Sequence, residues 1–484
     1  MKYLARLFSV INAEQYLRIA VFCILCLTFA NVLFSVMSEE FGFGYHSFLL
    51  GPGPGDRFAD LVKPALSFKT FTSGLENQPS FASWPALYKY YYFNNPYAGR
   101  EGFASGMETH FHYPPLWELL ALMCSLIIVR AGSPQFALLL FFTAYLSGVY
   151  LLAYHSVRKE EKTKTEFAIW FVCLLGYPSL VIFARGNFYA GFTSLLIVHF
   201  MISLFGYRNA GIAAPLALAV AVNMRPNSLV FVLAFPVALG IRRSIKPCVR
   251  FFAMALGLAC ASYISAHWLY PDYTISTFQQ GLRRYNQIYM MGAPAGQANS
   301  SLFGLVRNLN AAGLWMSNRP TVTHVPDMSR TLTVFGVLAI IIVLVAFCGL
   351  WRSSVRGLIA PFVLTSLYCL LTPVFADYHL LVFLAPLLLL CFHVKNWAGH
   401  YRAVSTIALA SVLILSPKNY IFIHGCSLQT ILNPLILCLS LLYLATLPGR
   451  HVSATGIPWS FHHKTHVTTR PDFEPAIRDN GIDL

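Results

Sequence analysis

Apolar residues in this chain come in long blocks separated by short polar stretches, the pattern a polytopic membrane protein requires. A spanning helix takes about 20 mostly apolar residues, and shorter ones are tolerated inside a bundle. Twelve blocks qualify: Ile19–Met37, Gln135–Tyr154, Phe167–Ala184, Phe188–Phe205, Ala210–Val222, Leu229–Ile241, Phe251–Leu269, Leu332–Leu350, Leu358–Leu371, His379–His393, Val404–Leu415 and Leu428–Leu447. A further run, Pro114–Val129, is apolar but carries Glu118 and opens on Pro114-Pro115, which suits the first turn of a helix lying in the interface. The first block is longer than a signal-peptide core and lacks a convincing cleavage site, so it reads as a retained anchor.

The distribution of basic residues sets the direction of the chain, because cytoplasmic loops carry the excess of Lys and Arg. Lys2, Arg6 and Arg18 suggest an N-terminus inside. If Pro114–Val129 does not cross, Arg158–Lys164, Arg208, Arg242–Arg250, Arg352 with Arg356, Lys395 with Arg402, and the tail from Arg450 all face the cytoplasm. If it crossed, the basic loops at Arg158–Lys164 and Arg242–Arg250 would face outward. The expected fold is therefore an all-α polytopic membrane protein: about twelve transmembrane helices and one interfacial helix at 114–129. Residues 1–447 form the membrane domain and 448–484 a cytoplasmic tail. Two sizeable loops, 38–113 and 270–330, lie outside, together with short turns at Arg185–Asn187, Asn223–Asn227 and Pro373–Tyr378. Inverted-repeat transporters show internal sequence repeats; none is visible here.

Composition removes other classes. The chain is 57% hydrophobic and 11% charged, against roughly 25% charged in soluble domains. That excludes a soluble globular enzyme, a disordered chain and a coiled coil. A net charge of +15 would ordinarily raise nucleic acid as a partner, but the basic residues sit singly at the edges of apolar blocks, as membrane topology demands. Eleven cysteines are scattered, most of them within apolar blocks where a thiol behaves as a small hydrophobe. Cys23 and Cys26 form a C-x-x-C in mid-span without polar neighbours, outside the context in which that spacing signals redox or metal chemistry.

The residues able to do chemistry gather on the outer side of this topology. The first loop carries Gly51-Pro-Gly-Pro-Gly55, a turn sequence without the Lys and Ser/Thr of a phosphate loop, followed by Asp56 and Asp60. Those two carboxylates share a face if the segment is helical. Acidic residues are scarce in the chain, so an Asp next to the bilayer and opposite basic groups is a candidate base, although a solvated loop carboxylate is the plainer alternative. His110 and His112 at i, i+2 lack a third His or any Cys, which leaves a metal unindicated. Arg185 and Arg225 lie between apolar blocks at bilayer depth, where an ionisable group is costly. They either snorkel to headgroups or bind an anion. His379, after Asp377-Tyr378, is a packed polar cap or a phosphate-binding imidazole. Arg283, Arg284 and Arg307 add positive charge in the second loop.

The order of these features resembles family 87 glycosyltransferases of the GT-C superfamily. The resemblance rests on an Asp early in the first outer loop, Asn94-Asn95-Pro96-Tyr97, the interfacial start Tyr113-Pro-Pro-Leu116, Arg185-Gly-Asn-Phe-Tyr-Ala-Gly191, Asn299-Ser-Ser-Leu302 and Asp377-Tyr-His379-Leu. It extends from about Asp56 to Leu390; Arg185-Gly-Asn departs from the family's Gln-containing turn, and the tail after Leu447 has no counterpart. What the resemblance implies is a GT-C-like catalytic bundle transferring a hexose or pentose, with mannose or arabinose favoured, from a polyprenyl-phosphate donor. The acceptor would be a cell-envelope glycan or glycolipid, on the outer face of the plasma membrane. In that reading Asp56 is the catalytic base, with Asp60 the alternative. Arg185, Arg225 and His379 hold the donor phosphate, and Asn187, Tyr113, His112 and Asn299 contact substrate. No cofactor is called for, and no D-x-D metal signature occurs. A glycan ligase or polymerase using a diphosphate-linked donor, or a transporter of lipid-linked sugar, is the alternative.

Overall fold

The computed structural model describes residues 13–40, 61, 113–131, 134–156, 162–206, 211–242, 245–269, 271, 273–286, 299–315, 328–353, 356–392, 397–417, 422–423 and 426–447. Nearly all of these described residues are helical, the architecture of an all-α membrane protein. The helices run α1 (Ala13–Glu40), α2 (Pro115–Ala131), α3 (Pro134–Ser156), α4 (Lys162–Leu175), α5 (Tyr177–Arg185), α6 (Phe188–Phe205), α7 (Ala213–Met224) and α8 (Ala234–Arg242). They continue with α9 (Lys246–Leu269), α10 (Ile275–Asn286), α11 (Leu302–Trp315), α12 (Met328–Arg352), α13 (Arg356–Leu371), α14 (Leu384–Phe392), α15 (Trp397–Leu415) and α16 (Gln429–Thr446). The 3-10 segments Pro226–Leu233 and Asp377–Phe383 lead directly into α8 and α14. Two-residue strands, Phe422–Ile423 and Cys426–Ser427, pair antiparallel just before α16.

Five segments, Phe136–Tyr154, Phe188–Phe205, Lys246–Leu269, Ser329–Arg352 and Gln429–Thr446, are long and apolar enough to cross a membrane. Shorter apolar helices include Ala213–Met224, Arg356–Leu371, Asp377–Leu390 and His400–Leu415. In lipid every backbone N–H and C=O must be satisfied within the protein, and helices do this locally. Burial divides these helices sharply. Within Phe188–Phe205, 78% of residues are buried, against 11% in an apolar 18-residue stretch of Lys246–Leu269 and of Ser329–Arg352. The last two present Leu256, Ile264, Ile340 and Leu344 outward, an apolar surface that fits contact with lipid.

α6 is the central helix, packed against α3, α7, α14 and the second 3-10 segment. Gly191 permits the approach of α3: a Cβ there would stand 2.8 Å from the Tyr145 ring. Tyr145 in turn donates from its hydroxyl to the Cys173 carbonyl of α4 at 3.0 Å.

Three departures from the sequence reading matter for the site. The block Phe167–Ala184 is broken at Gly176, where the backbone is extended and Pro178 starts a new helix. The block Leu229–Ile241 begins as a 3-10 turn, because Arg225 is extended and Pro226 lacks the N–H that would continue α7. The stretch 270–330, read as a loop, holds α10 and α11, and α11 is packed into the core through Phe303, Leu305 and Val306.

Candidate functional site

The turn from Pro373 to Ala376, between α13 and the 3-10 segment, is held by a short polar strip, Asn299-Ser300-Ser301, that precedes α11. Asn299 Oδ1 accepts from the backbone N–H of Phe375 at 2.9 Å and of Ser301 at 3.2 Å. Its Nδ2 donates to the Pro373 carbonyl at 2.7 Å. The Ser300 N–H reaches the Phe375 carbonyl at 2.9 Å. Ser301 is the N-cap of α11: its hydroxyl donates to the Pro373 carbonyl at 3.0 Å and accepts from the Gly304 N–H at 3.1 Å. The strip thus satisfies the carbonyls of Pro373 and Phe375 and the N–H of Phe375.

Asp377 anchors the next turn. Its Oδ2 accepts from the Tyr177 hydroxyl of α5 at 2.8 Å and from Gln429 Nε2 of α16. Its Oδ1 accepts from the Ser300 hydroxyl at 3.2 Å, and Asn433 Nδ2 donates to that hydroxyl oxygen at 3.0 Å. Three helical elements and the strip before α11 thus meet around one buried carboxylate. Farther along the same seam, Asn308 Nδ2 donates to Thr430 Oγ1 at 2.9 Å.

This frame presents Arg225 and His379 on a common ring. Arg225 follows α7 and donates from Nη2 to the Val374 carbonyl at 3.1 Å. Its guanidinium carbon lies 5.7 Å from the Phe375 ring centre and 5.8 Å from that of Tyr368. His379 is buried, with its ring centre 5.6 Å from Phe375 and 4.6 Å from Tyr378. Its Nδ1 finds no hydrogen-bond partner among the described residues. The partners of Arg225 are therefore a carbonyl and two aromatic faces. A cation so placed, half-buried and facing no carboxylate among the described residues, is suited to an anion.

Arg185 and Asn187 sit on the turn between α5 and α6, and both helices pack against the 3-10 segment that carries His379. Gly186 adopts a left-handed conformation (φ 65°), which frees the chain to reverse and lets the Asn187 N–H bond the Ile182 carbonyl at 2.9 Å. Asn187 is buried and N-caps α6, accepting from the Ala190 N–H at 3.1 Å, so its side chain has a structural duty independent of any substrate. Arg185 is half-buried at the end of α5.

Tyr113 belongs to a second, aromatic group at the start of α2. It stacks on Trp117 at 4.6 Å, and Trp117 meets Tyr189 of α6 at 5.0 Å. The Tyr113 N–H donates to the buried Glu118 carboxylate at 3.3 Å, and its carbonyl accepts from the Tyr273 hydroxyl at 3.1 Å. Asp56, Asp60 and His112 lie outside the described residues. Among the described residues no group of three or more His, Cys, Asp or Glu side chains is placed to hold a metal ion.

Of the expected residues, the fold brings Arg225, His379 and Asn299 together around Phe375. It adds Asp377, Tyr177, Ser300, Gln429 and Asn433, none of which the sequence reading named as site residues. A signal for the last pair was present: Gln429, Thr430 and Asn433 share one face at the start of an apolar span, and polar groups there turn inward. Comparison with known proteins finds no matching family model, no matching curated protein and no matching solved structure.

Proposed function

We propose that the protein is an integral-membrane inverting glycosyltransferase of GT-C-like architecture, taking a hexose or pentose from a polyprenyl-phosphate donor. In this reading twelve segments cross the membrane, α2 lies in the interface, and the turns at Arg185, Arg225 and Pro373 face away from the cytoplasm. The acceptor is a cell-envelope glycan or glycolipid at the plasma membrane. The observation that carries the proposal is the meeting of Arg225 and His379, far apart in the chain, on the ring of Phe375, with Asn299 holding the turn beneath them.

The roles follow from charge. The leaving polyprenyl phosphate develops negative charge, which the guanidinium of Arg225 meets in a partly desolvated setting. His379 supplies a hydrogen-bonding imidazole to the same phosphate, and Arg185 adds a second cation from the adjacent turn. The acceptor hydroxyl needs a base, for which Asp56 is the choice and Asp60 the reserve. Asn187, Tyr113, His112 and Asn299 border the sugar. The apolar donor tail enters from lipid between helices.

The test uses purified protein in lipid nanodiscs with mannose or arabinose linked to a polyprenyl monophosphate. Asp56→Asn is expected to lower transfer roughly 10²–10⁴-fold while the protein folds normally. Arg225→Gln should lower it with a similar requirement for intact folding. Full activity in Asp56→Asn removes the base assignment, and no transfer from any monophosphate donor removes the reaction. One observation favours a second reading, a transporter of lipid-linked sugar. The helices entered through Arg225 and Asp377 both begin as 3-10 segments, giving the discontinuous helices that transporters use at their binding sites. Donor translocated but not consumed would select it. Turnover of a diphosphate-linked donor in place of the monophosphate would select a ligase or polymerase.

A further inference from the structure

α9 carries a lipid-facing stripe from one end to the other. Val249, Phe252, Leu256, Ile264 and Trp268 recur at helical spacing and are all more than half exposed. At 1.5 Å per residue its 24 residues extend about 36 Å, enough to cross a hydrocarbon core of about 30 Å. Lys246 and Arg250 mark one end. Trp268, the most exposed residue of the stripe, marks the other, where an indole favours the headgroup level.

α10 begins six residues after the end of α9 and is fixed there by specific bonds. His267 Nδ1 donates to the Tyr273 carbonyl at 3.0 Å, and the Tyr273 side chain is buried against the start of α2. Thr274 and Thr277 form a reciprocal cap: the Thr274 N–H donates to Thr277 Oγ1 at 2.8 Å, and the Thr277 N–H donates to Thr274 Oγ1 at 3.1 Å. Among the described helices, the one so started is the most two-sided. Ile275, Phe278 and Leu282 fall on one face, while Gln279, Gln280 and the Arg283-Arg284 pair make it too polar to enter the bilayer. Ile275 is 58% exposed and Leu282 39%, so this apolar face is not covered by the bundle. Arg283 is exposed and makes no ion pair among the described residues.

We propose that α10 lies in the plane of the bilayer surface, continuing the lipid contact of α9. Ile275 and Leu282 enter the acyl boundary, and the charge of Arg283, on the flank of that face, stands against the phosphates of anionic lipid headgroups in that leaflet. The occupant is the bilayer itself. Continuity with the exposed stripe ending at Trp268 places a lipid surface at this level, and the basic charge of the segment supplies the complement to an anionic one. The assignment does not depend on the reaction proposed above.

Hydrogen–deuterium exchange of the segment 273–286 tests it on the full chain in nanodiscs of phosphatidylcholine with and without phosphatidylglycerol. The expected result is roughly tenfold slower exchange when the anionic lipid is present, reversed by high salt. The effect should be lost in Arg283→Gln/Arg284→Gln and kept in Arg283→Lys/Arg284→Lys, which separates charge from misfolding. Equal exchange in both lipids, or a difference that survives the Gln pair and high salt, overturns the proposal. So does slowing by inorganic phosphate in detergent, which would make this a soluble-anion site, and so does slowing that tracks protein concentration, which would assign the face to a second copy.

Discussion

α12 and the segment that follows it, α13 through α14, are neighbours in sequence and both strongly apolar, yet they occupy opposite surroundings. α12 exposes Val337, Ile340 and Leu344 and buries little. α13 is buried along Gly357–Leu370, and Asp377 through Leu390 is buried almost throughout. Hydropathy does not separate them. What does is where the polar groups fall: Asp377 and His379 open the buried segment, and Asp377 is bonded by side chains of other elements, whereas Ser329, Arg330, Thr331, Thr333 and Arg352 sit toward the ends of α12. In a membrane the hydrophobic effect does not draw one helix to another, so close packing and interhelical hydrogen bonds decide which helix goes inside.

The largest expected effect probes that rule at its centre. Asp377→Ala leaves the donors of Gln429 and Ser300 without their acceptor, and leaves the Tyr177 hydroxyl only Gln429 Oε1 at 3.3 Å. At about 1–2 kcal/mol for each of the two buried orphans, this should cost about 3 kcal/mol, read as a fall in the thermal unfolding midpoint of purified protein. A midpoint equal to wild type would mean that the four-element junction does not hold the bundle together. A smaller effect is expected at Gly304. A Cβ there would lie 2.5 Å from the Asn299 carbonyl oxygen, a backbone atom, so Gly304→Ala must displace the strip under Phe375. The cost should be about 1–3 kcal/mol by the same measurement. The smallest effect belongs to α12. A Cβ on Gly336 meets nothing within 4 Å, and Gly336→Ala should leave the midpoint unchanged or raise it by up to about 1 kcal/mol through helix propensity alone. If Gly336→Ala destabilises as much as Gly304→Ala, the contrast between lipid-facing and buried helices fails.

Much of the helical layout was legible. Most of the expected blocks fall on helices, but Phe167–Ala184 is split at Gly176 and the blocks from Leu229 and from His379 open in 3-10 segments; the turns at Gly186, Arg225 and Pro373 lie close to where polar residues interrupt apolar runs. The break at Gly176 was hidden inside an apolar run, because Pro178 tolerates a helix start as readily as a span tolerates one proline. The core position of α11 was hidden because Arg307, Asn308 and Asn310 make its sequence look solvent-exposed. Arg307 and Asn308 are buried, and the amides of Asn308 and Asn310 are spent on Thr430 and Thr331. At the site, Arg225 and His379 could be named singly from their place at the outer ends of apolar blocks, and Asn299 only from the family resemblance. Their common ring could not, and neither could Asp377, whose bond to Tyr177 joins residues 200 positions apart.

By itself the sequence determined that this chain is a set of membrane helices and where many of them start and stop. Backbone groups in lipid must be satisfied within each segment, and Pro, Gly and Asn mark the ends locally. Which helices meet lipid, and which polar groups meet one another, was decided only in three dimensions. Lipid and protein interior are equally apolar, so composition cannot rank them. A hydrogen-bond acceptor gains its meaning only from the donors that the packing brings to it.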